Sequence, residues 1–426
     1  MMNNPWFLLI LFVLSLFQMV LLHVIPLFAF FDEAITIWAL YIIITNYKFN
    51  INKRFDWMLI IMCIITIYGV ICNYHFNYQT NIIPISNDIG NCFKVFITYI
   101  GASLYFRRLK LRIIDDFLVL AYNFVSIFIV VMFPFCILNM FVDIGMHQDV
   151  RYGIPSFAFI FEGAGKLSML FYLMMSVILL HYKKIKSPSF MDLAIFFMAL
   201  VIWTSTMRAR AFLFVLVLLF VFGYVIYAKK RLEINRWSIL IGLLLFITIC
   251  ADQIEYYGGD ESSARYSLLY NGYRTMVDYF PFGCGFGTYG TDVAAKYYSK
   301  LYIEYGMNNV YGLTEDNPIF SHDNYWPAIM GQFGAIGMLG FVSLVYLLFS
   351  DMMKKSRNSK LDLSVAVFLC FSQIMASFAT AVFSNFVTVW LMFFAAMFFN
   401  RKDLRLRTYS AKIKLLKLIK KNTLDT

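Results

Sequence analysis

Charge is what this sequence has least of: only 14% of its 426 residues are Asp, Glu, Lys or Arg, against 61% hydrophobic. A soluble globular chain carries about 25% charged and about 45–50% apolar residues. A soluble enzyme is thereby excluded, and an all-α polytopic membrane protein is expected. Cysteine is sparse too. Cys63, Cys72, Cys92, Cys136, Cys250, Cys284 and Cys370 fall mostly inside apolar runs, without the C-x-x-C spacing of metal or redox sites. A disulfide framework clusters its cysteines outside the membrane, so these read as small apolar fillers. No Lys or Arg precedes Lys48. The positive n-region of a cleaved signal peptide is missing, and the first apolar stretch is expected to be retained as a helix. No Asp-x-Asp or phosphate-loop motif occurs, and the glycine-rich stretch 281–290 lacks the strand-helix context of a dinucleotide site, so no metal, cofactor or nucleic-acid partner is expected. The short or broken spans show no repeat of the kind that builds many transporters from two related halves.

What is present is apolar sequence in span-sized pieces. A membrane helix needs about 20 mostly apolar residues, and twelve such segments are expected at 6–24, 25–45, 57–73, 88–106, 117–139, 163–182, 190–207, 211–228, 237–253, 324–350, 361–380 and 383–400. Residues 1–400 then form one transmembrane domain. Of the 36 Lys and Arg, all but nine fall in alternate connections or in the tail 401–426. The positive-inside rule assigns these to the cytoplasm, which puts both termini there. The tail interleaves Leu404, Leu406, Ile413, Leu416 and Ile419 with basic residues, as does a helix lying on an anionic leaflet; a frayed basic end fits equally well. Topology leaves unexplained Lys94, Arg151, Lys166, Arg208, Arg210, Arg265, Arg274, Lys296 and Lys300, all expected outside or near the outer face. These are the first candidates for function.

One extramembrane segment stands out, 254–322, a periplasmic loop in this topology. It holds twelve of the 28 tyrosines and nine of the 22 glycines. A loop of this length is usually functional or disordered, and its tyrosines argue against disorder. Amphipathic phenol rings suit either the membrane interface or a sugar-bearing ligand. Within the loop, 264–279 is expected to form an amphipathic helix with Leu269, Tyr273 and Met276 on its apolar face, ending before Pro281. Arg265 and Arg274 are then half a turn out of phase, so both face one site only if Gly272 interrupts the helix. Arg265 is the stronger candidate. The glycine-rich stretch from Pro281 to Gly290 could present backbone N–H groups to an anion as a nest, or be only a turn.

Arg208 and Arg210 stand where the seventh span meets the outside; a guanidinium pair fits a diphosphate because its planar donors bind two oxygens at once. A snorkelling anchor is the simpler account. His322 sits where the loop re-enters the membrane, beside Asp323 and Asn324, and an imidazole there can accept a proton or steady an anion. Glu162 and Lys166, spaced i, i+4, are expected to pair. Asp32 and Glu33 break the second span, in a cavity or a kinked hairpin.

The order Thr204-Ser-Thr-Met-Arg208-Ala-Arg210-Ala, Ser262-Ser-Ala-Arg265, Pro281-Phe-Gly-Cys-Gly-Phe-Gly287, then His322-Asp-Asn324 with Gly334 and Gly337, resembles the bacterial O-antigen polymerase and O-antigen ligase superfamily over about residues 200–340. The resemblance implies a GT-C-like fold of about twelve transmembrane helices in the inner membrane, and a metal-independent glycosyltransferase. Its donor would be an undecaprenyl diphosphate-linked oligosaccharide, with the lipid bilayer, a flippase and a chain-length regulator as partners. Carried over, Arg265 and one of Arg208 or Arg210 would hold the diphosphate. Arg274 is a further candidate for it. His322 would act at the acceptor hydroxyl, among Asp323, Asn324 and Tyr273 as acceptor-binding residues. The pattern departs where Asp323 separates His322 from Asn324, and where Gln332 stands in place of Glu. The expected activity is polymerisation of a surface polysaccharide, the richness in Phe, Ile, Asn, Tyr and Lys matching the A/T-rich genes of O-antigen clusters. The alternatives are transfer of the glycan to the lipid A core by a ligase, and, from another class, a lipid-linked oligosaccharide flippase or transporter.

Overall fold

The computed structural model describes residues 3–50, 52–151, 153–182, 189–227, 263–357 and 359–400. The expected span 237–253, Cys250 and the basic tail lie outside them. In chain order the helices are α1 (Pro5–Val24), α2 (Phe31–Asn46), α3 (Lys53–Phe76), α4 (Ile82–Phe106), α5 (Leu111–Phe141), α6 (Ala164–His181), α7 (Phe190–Thr204), α8 (Ala209–Tyr227), α9 (Ala264–Asp278), α10 (Tyr325–Ser356), α11 (Lys360–Ser377) and α12 (Phe386–Asn400). An antiparallel hairpin, β1 (His147–Arg151) with β2 (Ile154–Phe157), joins α5 to α6. Eight helical segments among the described residues are long and apolar enough to cross a membrane: α1, Pro26–Asn46, α3 to α6, α10 and α11. The chain is a multi-pass α-helical membrane protein. Eight of the expected spans fall on these segments, whereas 190–207, 211–228 and 383–400 overlap the shorter apolar helices α7, α8 and α12.

Helices are the only open-ended elements that satisfy their own backbone in lipid, and local residues set where they start and stop. Asn4 caps α1, accepting from the Trp6 amide at 2.9 Å with Pro5 in the first turn. Ser189 and Asp192 form a reciprocal capping box on α7. Asn77 takes the left-handed conformation that ends α3. Burial sorts the helices. Along its span α6 is 83% buried and α4 72%, whereas α2 and α5 are 28% buried, so α4 and α6 form the interior while α2 and α5 lie at the rim. The rim side chains are apolar, for example Ile37, Ile44, Ile64, Ile67 and Ile127, as a lipid-facing surface requires.

One interior charge departs from expectation. Lys94 is not at the outer face: it is buried midway along α4, 2.7 Å from Asp32 at the start of α2. Gln18 donates to the same carboxylate at 3.0 Å, and Trp390 donates to Gln18 at 2.8 Å. A charge in an apolar bundle persists only when paired and hydrogen-bonded. Asp32 thus breaks the second span in order to compensate Lys94.

The two ends of the bundle differ. At one end Asn52, Tyr99 and Lys355 converge on buried Asp351. The other gathers the hairpin, the α7–α8 connection and residues 263–323; here it is called the loop end. His23 at the close of α1 meets Glu162 there at 2.6 Å, and the amide of Phe157 donates to Ser205 at 2.8 Å.

The described loop has its own core. Leu268, Cys284, Tyr289, Ala294, Leu301, Tyr302, Met307 and Leu313 pack together. Tyr289 donates to the Leu268 carbonyl at 2.7 Å, and the Tyr302 hydroxyl accepts from the Gly290 amide at 2.9 Å. Part of the tyrosine enrichment is therefore neither interfacial nor ligand-facing but internal. Two buried rings with hydroxyls satisfy backbone groups that a small irregular unit cannot pair by itself.

Candidate functional site

The glycine-rich stretch is a structural insert, not an anion nest. Helix α10 breaks at Gly334, with φ 60° and ψ −157°, which frees helical carbonyls just before the break. The amides of Cys284 and Gly285 donate to the carbonyls of Gly331 and Gln332 at 3.1 and 2.7 Å, and the Ile336 amide donates to Pro281 at 3.2 Å. Further along, the Phe286 amide donates to Asn73 and that of Gly287 to Asp88, both at 2.8 Å. The N–H groups that would have cradled an anion are thus consumed by protein acceptors. The glycines are there for approach: a Cβ on Gly334 would lie 2.4 Å from the Pro281 oxygen, and one on Gly283 2.5 Å from the Gly334 nitrogen. Gln332, fully buried, donates to the Tyr289 carbonyl at 3.0 Å. It holds the loop to α10 and has no access to a substrate.

Helix α9 runs unbroken through Gly272, which lets the Pro327 backbone close to 2.9 Å from where a Cβ would stand. Its buried face is Ala264, Ser267, Leu268, Asn271, Gly272 and Thr275. Close helix packing selects small residues. Of the expected apolar face, Leu269 and Tyr273 are exposed and Met276 is half-buried. Tyr273, 56% exposed, is therefore not among the site residues the fold brings together. Arg274 lies across the helix from Arg265, its Nε 3.7 Å from Asp278 and its guanidinium 4.7 Å from the Tyr305 ring centre. It too stands apart.

Four guanidiniums do converge. Arg265 pairs with Asp323, Nη2 to Oδ2 at 3.0 Å and Nε at 3.2 Å. Arg208 donates to Gln148 and lies 3.4 Å from Asp149, which also takes Arg151 at 2.9 Å. Arg210 reaches the Gly165 carbonyl in the first turn of α6 at 3.4 Å. The hairpin sets this arrangement. Its Gln148 also accepts from the Ala164 amide at 3.0 Å, seating β1 on the amino end of α6, where the helix dipole adds positive potential.

Among the described residues, Asp149 and Asp323 are the carboxylates paired with these guanidiniums. Burial, then repulsion from Arg151, offset by Asp149, and repulsion from Arg210 and Arg265 push the Arg208 guanidinium down to about 10, still charged at neutral pH. Burial alone would raise the Asp149 carboxyl. The Ser156 hydroxyl, Arg151 and Arg208 outweigh it and hold that carboxyl below its usual range. Two buried N–H donors, Arg208 Nε and Arg210 Nη1, have no partner among the described residues. A buried donor left unpaired costs about 1–3 kcal/mol, and an anion with several oxygens would remove that cost for both.

His322 stands beside this cluster, one residue from the Asp323 that grips Arg265. Its Nδ1 lies 2.9 Å from Asp292 Oδ1. That hydrogen bond raises the imidazole above its ordinary value; burial opposes it, Asp292 and Asp323 charge reinforce it, and Lys166 counters. Lys166 pairs with Glu162 as the i, i+4 spacing predicts. Asn324 precedes the first turn of α10 without a side-chain capping bond, its buried Oδ1 having no partner among the described residues. Asp292 was not a sequence candidate. It lies thirty positions from His322 with no motif around it, and only the folding of the loop joins them. No described group of His, Cys, Asp and Glu is arranged to hold a metal, and the six described cysteines are unbridged.

No known family model matches the chain, and no curated protein matches it either.

Proposed function

We propose that the protein is a glycosyltransferase of the bacterial inner membrane that polymerises a surface polysaccharide. It would transfer a growing glycan from undecaprenyl diphosphate to a hydroxyl of a lipid-linked repeat unit at the periplasmic face. The observation that carries this reading is the convergence of Arg208, Arg210 and Arg265 at the loop end, with two buried N–H donors of Arg208 and Arg210 unpartnered among the described residues. A diphosphate leaving group gains negative charge as the glycosidic bond breaks, and preorganised guanidiniums in a partly dry site favour that state over the ground state. Arg208 and Arg210 would hold the diphosphate together with Arg265, the latter released from Asp323. His322 would receive the acceptor proton.

Orientation in this reading rests on the opposite end, where Arg54, Arg107, Arg108, Lys354 and Lys355 lie at helix termini, the pattern of a cytoplasmic face. The bundle would then cross the membrane about twelve times in a GT-C-like arrangement, with both chain termini inside.

Lipopolysaccharide banding in a strain lacking the gene tests the activity. A core bearing a single repeat is the expected result; bare core with accumulated lipid-linked polymer would assign a ligase instead. Purified protein supplied with lipid-linked repeats should lengthen their glycan. Movement of the lipid across vesicles without lengthening would mark a transporter and overturn the proposal.

A further inference from the structure

We infer that Asp292 is the positioning partner of His322, binding its Nδ1 so that Nε2 faces the acceptor hydroxyl as the proton-accepting atom. This deepens the glycosyl-transfer reading and rests on it. The 2.9 Å contact joins two separately anchored segments. Asp292 opens a short helix whose cap, Thr291, accepts from the Ala294 amide at 3.2 Å and from buried Gln332 at 3.3 Å. His322 lies in a tight turn in which Ser321 donates to the Pro318 carbonyl at 2.6 Å and the Asp323 amide to Phe320 at 3.1 Å. Both partners are thus fixed by backbone capping, and neither depends on the other for its place.

The geometry has the logic of an acid–imidazole pair. A carboxylate on Nδ1 selects the tautomer whose Nε2 lone pair is free, and it steadies the imidazolium that forms. Nε2 has no hydrogen bond among the described residues, and 43% of the imidazole surface is accessible. Asp323, next along the chain, grips Arg265. The proton acceptor therefore lies one residue from the carboxylate that pairs with a diphosphate-binding guanidinium of α9. In the step, the acceptor oxygen forms a bond to that carbon. The carbon–oxygen bond to the diphosphate breaks, its electron pair leaving on the diphosphate. The hydroxyl proton passes to His322 Nε2 and then to water.

The charged groups facing the imidazole are Asp292 and Asp323 from the loop and Lys166 from α6; Asp292 itself also feels Lys94 on α4. Crowding by neighbouring atoms would raise the Asp292 carboxyl, yet the hydrogen bond and charge of His322 hold it below its usual range. Asp292 keeps 68% of its side-chain surface accessible, so its replacement leaves the loop core alone.

The test uses full-length protein in lipid nanodiscs, with an undecaprenyl diphosphate-linked repeat unit as both donor and acceptor, and follows glycan extension against pH. Wild-type kcat should rise with pH as His322 loses its proton. Asp292→Asn should lower kcat about 10²-fold, leave the donor KM within about twofold, and move the acid limb to lower pH, because removing the anion makes the imidazole easier to deprotonate. Asp292→Glu should restore much of the rate. Wild-type kcat and an unmoved acid limb in folded Asp292→Asn would overturn the inference while the functional reading stands. Absence of extension by the folded wild-type protein would overturn both.

Discussion

Two buried clusters at opposite ends of the bundle handle charge in opposite ways. Around Asp351, Asn52 and Tyr99 each donate at 2.8 Å and Lys355 completes the set at 2.7 Å; the carboxylate is 2% exposed, with both oxygens engaged. Around Arg208, four guanidiniums meet Asp149 and Asp323 among the described residues, and the Arg208 Nε and Arg210 Nη1 donors have no described partner. A satisfied network rigidifies a bundle and offers nothing to a ligand. An unsatisfied one is a standing cost that a bound anion removes. The contrast separates charge that builds the protein from charge that acts.

Four substitutions break or sharpen that contrast. The largest effect on stability is expected from Asp351→Ala, which strands Lys355 in the interior and should cost about 3–5 kcal/mol, read as lost folded protein in detergent. Glycan extension per folded molecule should stay at the wild-type rate; a selective loss of activity would place Asp351 in the chemistry and erase the distinction. Arg265→Ala is the converse. Extension should fall by about 10²-fold or more while insertion and melting temperature hold, and normal polymer length in that variant would sink the assignment of the site. Gly334→Ala attacks the junction between loop and bundle. A Cβ in a left-handed conformation, 2.4 Å from the Pro281 oxygen, should cost about 2 kcal/mol or more, and the thermal midpoint should drop. Arg274→Ala should do least: a partly exposed pair and a ring contact are worth less than about 1 kcal/mol, and extension should be unchanged. An Arg274 effect as large as that of Arg265 would show that both flanks of α9 meet the substrate.

The differences between sequence pattern and structure share one physical cause. Periodicity puts Leu269, Tyr273 and Met276 on the apolar face of α9, yet the face the fold buries is Ala264, Ser267, Leu268, Asn271, Gly272 and Thr275, with Gly272 admitting the Pro327 backbone. Periodicity finds a face; it cannot tell whether that face meets protein or the apolar surroundings of a membrane protein. Lys94 is expected near the outer face because charge sorting leaves it over, whereas its buried place depends on Asp32, sixty-two positions away. The motif glycines stood out for a true reason, but their work is to dock the loop into the break of α10.

Composition and spacing alone determined that this is a helical membrane protein and where its helices lie, because lipid imposes a span length and a hydrophobicity that each segment must meet by itself. They also set Arg265 and Arg274 on opposite sides of one helix, a consequence of helical pitch. Only the tertiary structure decided which charges meet. The pairing of Asp292 with His322, the hairpin that brings Gln148 and Asp149 to Arg208, and the burial of Lys94 all depend on long-range closure. No local pattern encodes that closure, since electrostatic contact acts through space and not along the chain.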